Sequence, residues 1–271
     1  MLSILNSISS LNAENALSST QANLQKTLTQ LSSGLKINSG ADDAAGLSIA
    51  NGLQANISAL TQSSSNASDG IGVLQTADGA MSQVTTLLNR AVTLATEASN
   101  GGLSTSQSTA LDTEYQSILT EITNINGTTN FNGTAVFGST PAVYETDGTS
   151  AGSTTLASTA IAKVDATTLG LSGNLTTSAK AITELSNITK AINTVAADRG
   201  AVGAAVNQLS ASQNVENAET TNLQSAVNDI QNADVGKTVA NMTQYNVLEQ
   251  TGMAALSQSN QSQQSVLKLL Q

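Results

Sequence analysis

The chain of 271 residues has no histidine and no cysteine. A Ser-His-Asp triad, a Cys-His pair and a His-based zinc site are therefore excluded, as are disulfides and thiolate chemistry. Tryptophan is absent and aromatic residues are 2% of the chain, namely Tyr115, Phe131, Phe137, Tyr144 and Tyr245. Compact cores usually anchor on large rings; here the apolar residues are mostly Ala, Leu, Val and Ile, which suits long helices packed side by side. Pro141 is the single proline. Neither GxxxxGK[ST] nor GxGxxG occurs, so no nucleotide cradle is expected. Charged residues make up 10% of the chain, against about 25% in an ordinary soluble domain. Net charge is −10, and the nine Lys and Arg are scattered singly, which leaves no basic stripe for nucleic acid. No apolar run approaches the ~18 residues of a transmembrane helix. Met1–Ile8 has no basic leader, and Asn and Ser interrupt its apolar residues, so any export would use a route without a cleaved signal peptide. Catalytic, cofactor-binding and metal-binding residues are all expected to be none.

Asp42 and Asp43 form an adjacent acidic pair. A weak cation site is one reading; carboxylates at a helix start, where unpaired N–H groups favour negative charge, are the better one. Glu97, Glu114 and Glu121 make no evident acid/base pair and read as solvated positions. Several Asn-x-Ser/Thr triplets arise by composition alone. The Ser/Thr cluster at Thr149–Thr159 is the better acceptor for O-linked sugar.

Helix-period patterning fills the rest. Ile4, Ile8 and Leu11 begin a stripe continued by Leu17, Leu24, Leu28, Leu31 and Leu35. Residues 36–45 break it. Steps of three and four resume at Ile49 and run to Ala98, predicting a helix of about 50 residues, roughly 75 Å long, with a coiled-coil seam. Gly101-Gly102 ends it, and Ser104 or Thr105 caps the next helix. Leu111, Tyr115, Ile118, Ile122 and Ile125 form its seam, and the short connection makes it antiparallel to the first. Asn126-Gly127 reads as a stop and Asn132-Gly133 as a turn. Residues 139–179 read as a small β-rich or irregular insert, with β-like pieces at Ala142–Glu145 and Ile161–Val164, too short for its own core. From Ile182 heptads return through Val195, Val202 and Leu209 to Ile230, and Asp234-Val235-Gly236 reads as a joint. A C-terminal segment with Val239, Met242, Leu248, Met253, Leu256, Leu267 and Leu270 follows. The expected fold is mainly α: long antiparallel helices forming coiled-coil rods around a small β-rich insert. Residues 1–35 and 235–271 carry too little apolar surface to bury themselves, and ends usually fray. They are expected to pair with each other and with neighbouring copies. The competing reading is a Ser/Thr/Asn-rich monomeric secreted protein.

The run from Leu31 to Ala50, LSSGLKINSGADDAAGLSIA, closely resembles the N-terminal signature of bacterial flagellins. Thr129–Gly133 is similar to the turn after that family's second core helix, and residues 198–207 and 265–271 match its C-terminal half. The resemblance covers residues 1–138 and 180–271. It implies a structural subunit that polymerises into the flagellar filament for swimming. Residues 1–35 with 235–271 would form an inner coiled-coil layer, packed through Ile4, Ile8, Leu11, Leu24, Leu28, Leu31, Val239, Met242, Leu248, Leu256, Leu267 and Leu270. Residues 45–138 with 180–233 would form the helical core layer, and 139–179 a minimal variable insert. Implied partners are other copies of the chain, the flagellar export apparatus, an export chaperone on the C-terminal segment, the filament cap and hook-junction proteins, with no nucleic acid or membrane. The implied location is the extracellular flagellum. A hook–filament junction protein and a filament-displayed adhesin are the alternatives. Arg90 and Leu94 match the segment read by the animal innate receptor for flagellin, and Glu114 falls at a third expected contact. Val92 and Thr93 replace an Arg and a Glu there, which weakens the case for receptor activation.

Overall fold

The computed structural model describes residues 8–139, 143 and 161–269. Five helices dominate: α1 (Ile8–Ser33), α2 (Ala44–Ala98), α3 (Thr105–Thr128), α4 (Ser178–Gln231) and α5 (Val235–Leu269). A hairpin of β1 (Asn130–Phe131) and β2 (Thr134–Ala135) follows α3. The chain divides into two compact units, Met1–Ala55 with Asn222–Gln271, and Asn56–Thr221.

Helix boundaries have local causes. Gly34, at φ 73, ends α1 in the left-handed region. Asp43 accepts from Gly46 N at 2.9 Å at the start of α2, and Asp234 accepts from Lys237 N at 3.0 Å at the start of α5. Both are N-caps that satisfy first-turn donors. Ser104 and Gln107 form a reciprocal capping box on α3. Its last residue is Thr128, one beyond the expected Asn126-Gly127 stop. Asn132 (φ 49) and Gly133 (φ 78) occupy the hairpin's two turn positions; positive φ at both is what a two-residue type I′ turn requires.

In the second unit, α2 presents two buried rows with a seven-residue repeat. One is Leu60, Ala67, Leu74, Met81, Leu88 and Ala95; the other, Ser63, Gly70, Ala77, Val84, Ala91 and Ala98, is mostly small. Alternation of large and small rows lets a facing helix approach closely. That helix is α4, whose row Ala181, Ile188, Val195, Val202 and Leu209 is buried. The two run antiparallel: Ser63 meets Glu216, Ser68 meets Gln213 at 2.7 Å, Asp78 meets Arg199 at 2.7 Å and the Ser99 carbonyl meets Ser178 at 2.6 Å. The α3 helix runs antiparallel to α2, with Arg90 against Glu114 and Phe131 against Gly72.

The insert was expected to be β-rich or irregular, and its described part is irregular. Residues 161–164 form no strand. Ile161 exchanges a pair of backbone bonds with Gly138 and Ser139, at 2.7 and 3.2 Å, but Val164 N turns instead to the Asn126 side chain at 3.1 Å, so no ladder propagates. Strands among the described residues lie before the insert, at β1 and β2. Of Ala142–Glu145, all but Val143 lies outside the described residues, as does the Thr149–Thr159 cluster. Ile161, Val164, Leu169, Leu171 and Leu175 join the core of the second unit, and Val143 seats against Gly70 of α2 and is itself buried. The insert thus borrows a core.

In the first unit α1 and α5 form an antiparallel hairpin, with Gln21 donating to Glu249 at 3.2 Å and Leu17 lying over Gly252. The two linkers meet in a short bridge: Lys36 N donates to Gln231 O at 2.6 Å and Ala233 N to Gly34 O at 2.9 Å. Residues 36–55 and 222–234 fall in the same compact unit as the terminal helices.

Candidate functional site

The terminal hairpin has two different faces. Toward α5, α1 turns Ala13, Leu17, Thr20, Leu24, Thr27 and Leu31, a heptad row that is buried or half-buried. The half-buried or buried row of α5 is Thr238, Met242, Tyr245, Glu249, Gly252 and Leu256. Thr20, Thr27, Thr238 and Glu249 make this seam polar for a coiled coil. Outside it, Ile8 (73% exposed), Leu11, Leu28, Val235 (58%), Val239, Val247, Leu248 (45%) and Met253 remain bare. The expected inner-layer residues therefore separate: Leu24, Leu31, Met242 and Leu256 lie in the hairpin seam, while Ile8, Leu11, Leu28, Val239 and Leu248 lie outside it and are exposed. Ile4, Leu270 and the Leu267 side chain lie outside the described residues.

Burial in this unit is slight. Among its described apolar residues only Ile37, Ala50 and Val227 are buried. Three such side chains, at up to roughly 1.5–3 kcal/mol each, fall far short of the ~1–2 kcal/mol that each ordered residue costs. A hairpin so composed needs further surface to cover it.

The linker is fastened electrostatically. Asp42 accepts from Lys26 Nζ at 2.8 Å and from the backbone N–H groups of Asn38 and Ser39 at 3.2 and 3.1 Å. Lys26, then these amides, hold its carboxyl down at about 2. Asp43 alone caps α2, while Asp42 fastens the linker; no cluster of three acidic, His or Cys ligands occurs among the described residues.

The second unit holds acids that sequence reading passed over. Glu184, Asp198 and Glu216 occupy seam positions of α4; Glu184 and Glu216 are buried and Asp198 is half-buried. Glu184 accepts from Tyr115 Oη at 2.6 Å, Asn187 Nδ2 at 3.0 Å and Gly173 N at 3.3 Å. Burial pushes the Tyr115 hydroxyl up, and its bond to Glu184 adds to the effect. Glu216 accepts from Ser63. Asp198 Oδ2 has no hydrogen-bond partner, and desolvation pushes its carboxyl above the usual range. The signal was available: counting sevens from Ala191 and Ala205 lands on Glu184 and Asp198, and from Leu209 on Glu216. An open groove of about 400 Å³ lies between α2 and α4, lined by Leu74, Asp78, Gly79, Val202, Gly203 and Val206.

Arg90 and Glu114 are brought together, at 2.7 Å, on the exposed surface. Leu94, 1% exposed, is a core residue facing inward.

A chain whose ends close into a polar-seamed hairpin and leave large apolar side chains bare has the surface of a subunit made to assemble. Residues 4–141 match the bacterial flagellin N-terminal helical region and residues 185–270 the bacterial flagellin C-terminal helical region. Flagellin of Halalkalibacterium halodurans is 34% identical, over 91% of this chain and 91% of that protein. Flagellin of Bacillus subtilis is 31% identical, over 98% and 99%. The flagellar filament 33 kDa core protein of Treponema phagedenis is 29% identical, over 98% and 99%. The chain belongs to the bacterial flagellin family. It is a structural subunit of the flagellar filament and serves motility; the family is structural rather than enzymatic. No helix among the described residues is long and apolar enough to cross a membrane.

Proposed function

We propose that the bare face of the α1/α5 hairpin is the inner-layer contact of the polymer. Ile8, Leu11, Leu28, Val239 and Leu248 of one copy meet the same segments of other copies around a channel, while Leu24, Leu31, Met242 and Leu256 hold the hairpin itself. Leu267, Leu270 and Ile4 take part in the same contacts between copies. Residues 45–138 with 180–233 make the helical core layer of the polymer, and 139–179 its variable part. The observation that carries this is the pairing of exposed large apolar side chains with a near-absence of buried ones in the same unit.

The chain reaches the filament through the flagellar export apparatus. A chaperone holds the apolar C-terminal segment beforehand, and cap and hook-junction proteins bound the polymer. The surface pair Arg90–Glu114 is open to an innate receptor, while Leu94 would have to leave the core to join them.

Purified chain is expected to polymerise only with both ends present. Normal filaments from a variant lacking residues 1–35 and 235–271 would overturn the inner-layer reading.

A further inference from the structure

Asn-Gly occurs four times, beginning at Asn51, Asn100, Asn126 and Asn132. In sequence the four are equivalent, since no glycine has a Cβ to shield its own N–H. The fold separates them. Asn51-Gly52 lies within α2 and Asn126-Gly127 within α3. There each glycine N–H is held in the helical ladder by the carbonyl four residues back, and Asn126 Oδ1 also accepts from Val164 N at 3.1 Å. Asn100 follows α2, and its Oδ1 accepts from Gly102 N at 3.2 Å.

Asn132-Gly133 differs in each respect. Both residues are exposed. Their φ values of 49 and 78 put them at the two central positions of the hairpin turn. Those positions lie outside the strand ladder, which pairs Asn130 with Ala135 and Phe131 with Thr134. Neither the Asn132 side chain nor the Gly133 N–H has a hydrogen-bond partner among the described residues. Nothing lies within 4 Å of the place a Gly133 Cβ would occupy.

We propose that Asn132 is a site of spontaneous backbone modification. Gly133 N attacks Asn132 Cγ and gives up its proton. The bond from Cγ to the side-chain nitrogen breaks, and that nitrogen leaves with the proton as ammonia. A five-membered succinimide remains. Water, the sole co-reactant, opens it at either carbonyl, and nothing is oxidised or reduced. Opening at Cγ leaves aspartate; opening at the main-chain carbonyl leaves isoaspartate, with the chain routed through Cγ. Aspartate keeps the backbone length and tolerates positive φ as Asn does. Isoaspartate adds one backbone carbon to a two-residue turn. The pairing of Phe131 with Thr134 then cannot close as before, and Phe131 is drawn off Gly72. The same strain reaches Val136 and Phe137, which are buried. The reaction is independent of assembly, and its extent records the age of each copy.

The test incubates full-length chain in mildly alkaline buffer, folded and in urea. Mass spectrometry maps the four Asn-Gly peptides, and an isoaspartate methyltransferase probes the rerouted bond. In urea the four pairs are expected to convert at similar rates. In the folded chain Asn132 should lead, with Asn51 and Asn126 at least ~tenfold slower, because a helical N–H must first be released by local opening. Asn100 should also trail. The isoaspartate fraction is expected to melt about 3 °C below fresh chain. The N132D variant, which has the new charge without the extra backbone carbon, should melt with the parent. Conversion at any other Asn-Gly pair ahead of Asn132 in the folded chain would overturn the site. So would an unchanged Asn132 after the time in which the urea-treated chain reacts. An isoaspartate fraction that melts with fresh chain, or with N132D, would overturn the assigned damage to the hairpin.

Discussion

Gly173 shows how closely the insert's return arm is fitted. A Cβ there would lie 2.2 Å from Glu184 Oε2 and 2.7 Å from its carboxyl carbon. Around it, Gln116 donates to Gly173 O at 3.0 Å and Leu175 N donates to Asp112 at 2.8 Å. G173A would therefore push the buried carboxylate off Tyr115, and is expected to destabilise the second unit by about 2 kcal/mol. Chemical denaturation checks this, and a change within about 0.5 kcal/mol would contradict it. Asp42 gives a prediction in pH. Its folded carboxyl is held at about 2, below the ordinary 3.8. A depressed carboxylate contributes stability that is present above about pH 4 and is lost as pH falls through about 2. An NMR titration of this carboxyl should show its midpoint near 2, rising toward 3.8 in K26Q; a parent midpoint near 3.8 would contradict the assigned fastening. Legibility at this scale was partial. Ser104 and the Asp42-Asp43 pair could be read as helix-start residues because short-range chemistry dictates them, whereas Asp234 was read only as part of a joint. Tyr115 was read as a seam residue, but its partner Glu184 was not, because that bond joins positions 69 apart.

At the scale of elements, period alone located the long helices and both joints, since a seven-residue repeat leaves little choice of buried face. It did not separate the two faces of α1. Leu24 and Leu28 look alike in sequence, yet one lies in the hairpin seam and the other is exposed; only the position of α5 decides. The strand reading of 161–164 failed for a related reason, because β-prone residues form a ladder only where a partner offers backbone groups, and Asn126 had taken that of Val164. The two faces should respond differently to substitution. L28S and L248S are expected to raise the critical concentration at least tenfold while leaving the thermal unfolding of the second unit unchanged, since neither side chain belongs to that unit's core. Filament formation at the parent's critical concentration would contradict the assignment. The polar seam positions of α4 have a separate consequence. Ser63 against Glu216 matches one polar residue to another across the α2/α4 seam, and such pairs favour one register at some loss of stability.

For the molecule as a whole, the scarce charge and missing rings are two aspects of one design. Small apolar rows let helices approach without aromatic anchors, and a low-charge surface can be covered by identical copies without stranding ions. The two units are built differently: the second holds a continuous core, while the first half-buries one apolar row in its hairpin seam and leaves many large apolar side chains exposed. That contrast supports the proposal that the terminal hairpin carries assembly. The absence of cysteine makes it directly measurable, because L248C introduces the chain's single thiol. The account predicts that a maleimide labels this thiol readily in the monomer and at least tenfold more slowly in the filament. Equal labelling rates in monomer and filament would contradict the claim that the bare face of the hairpin is buried between copies.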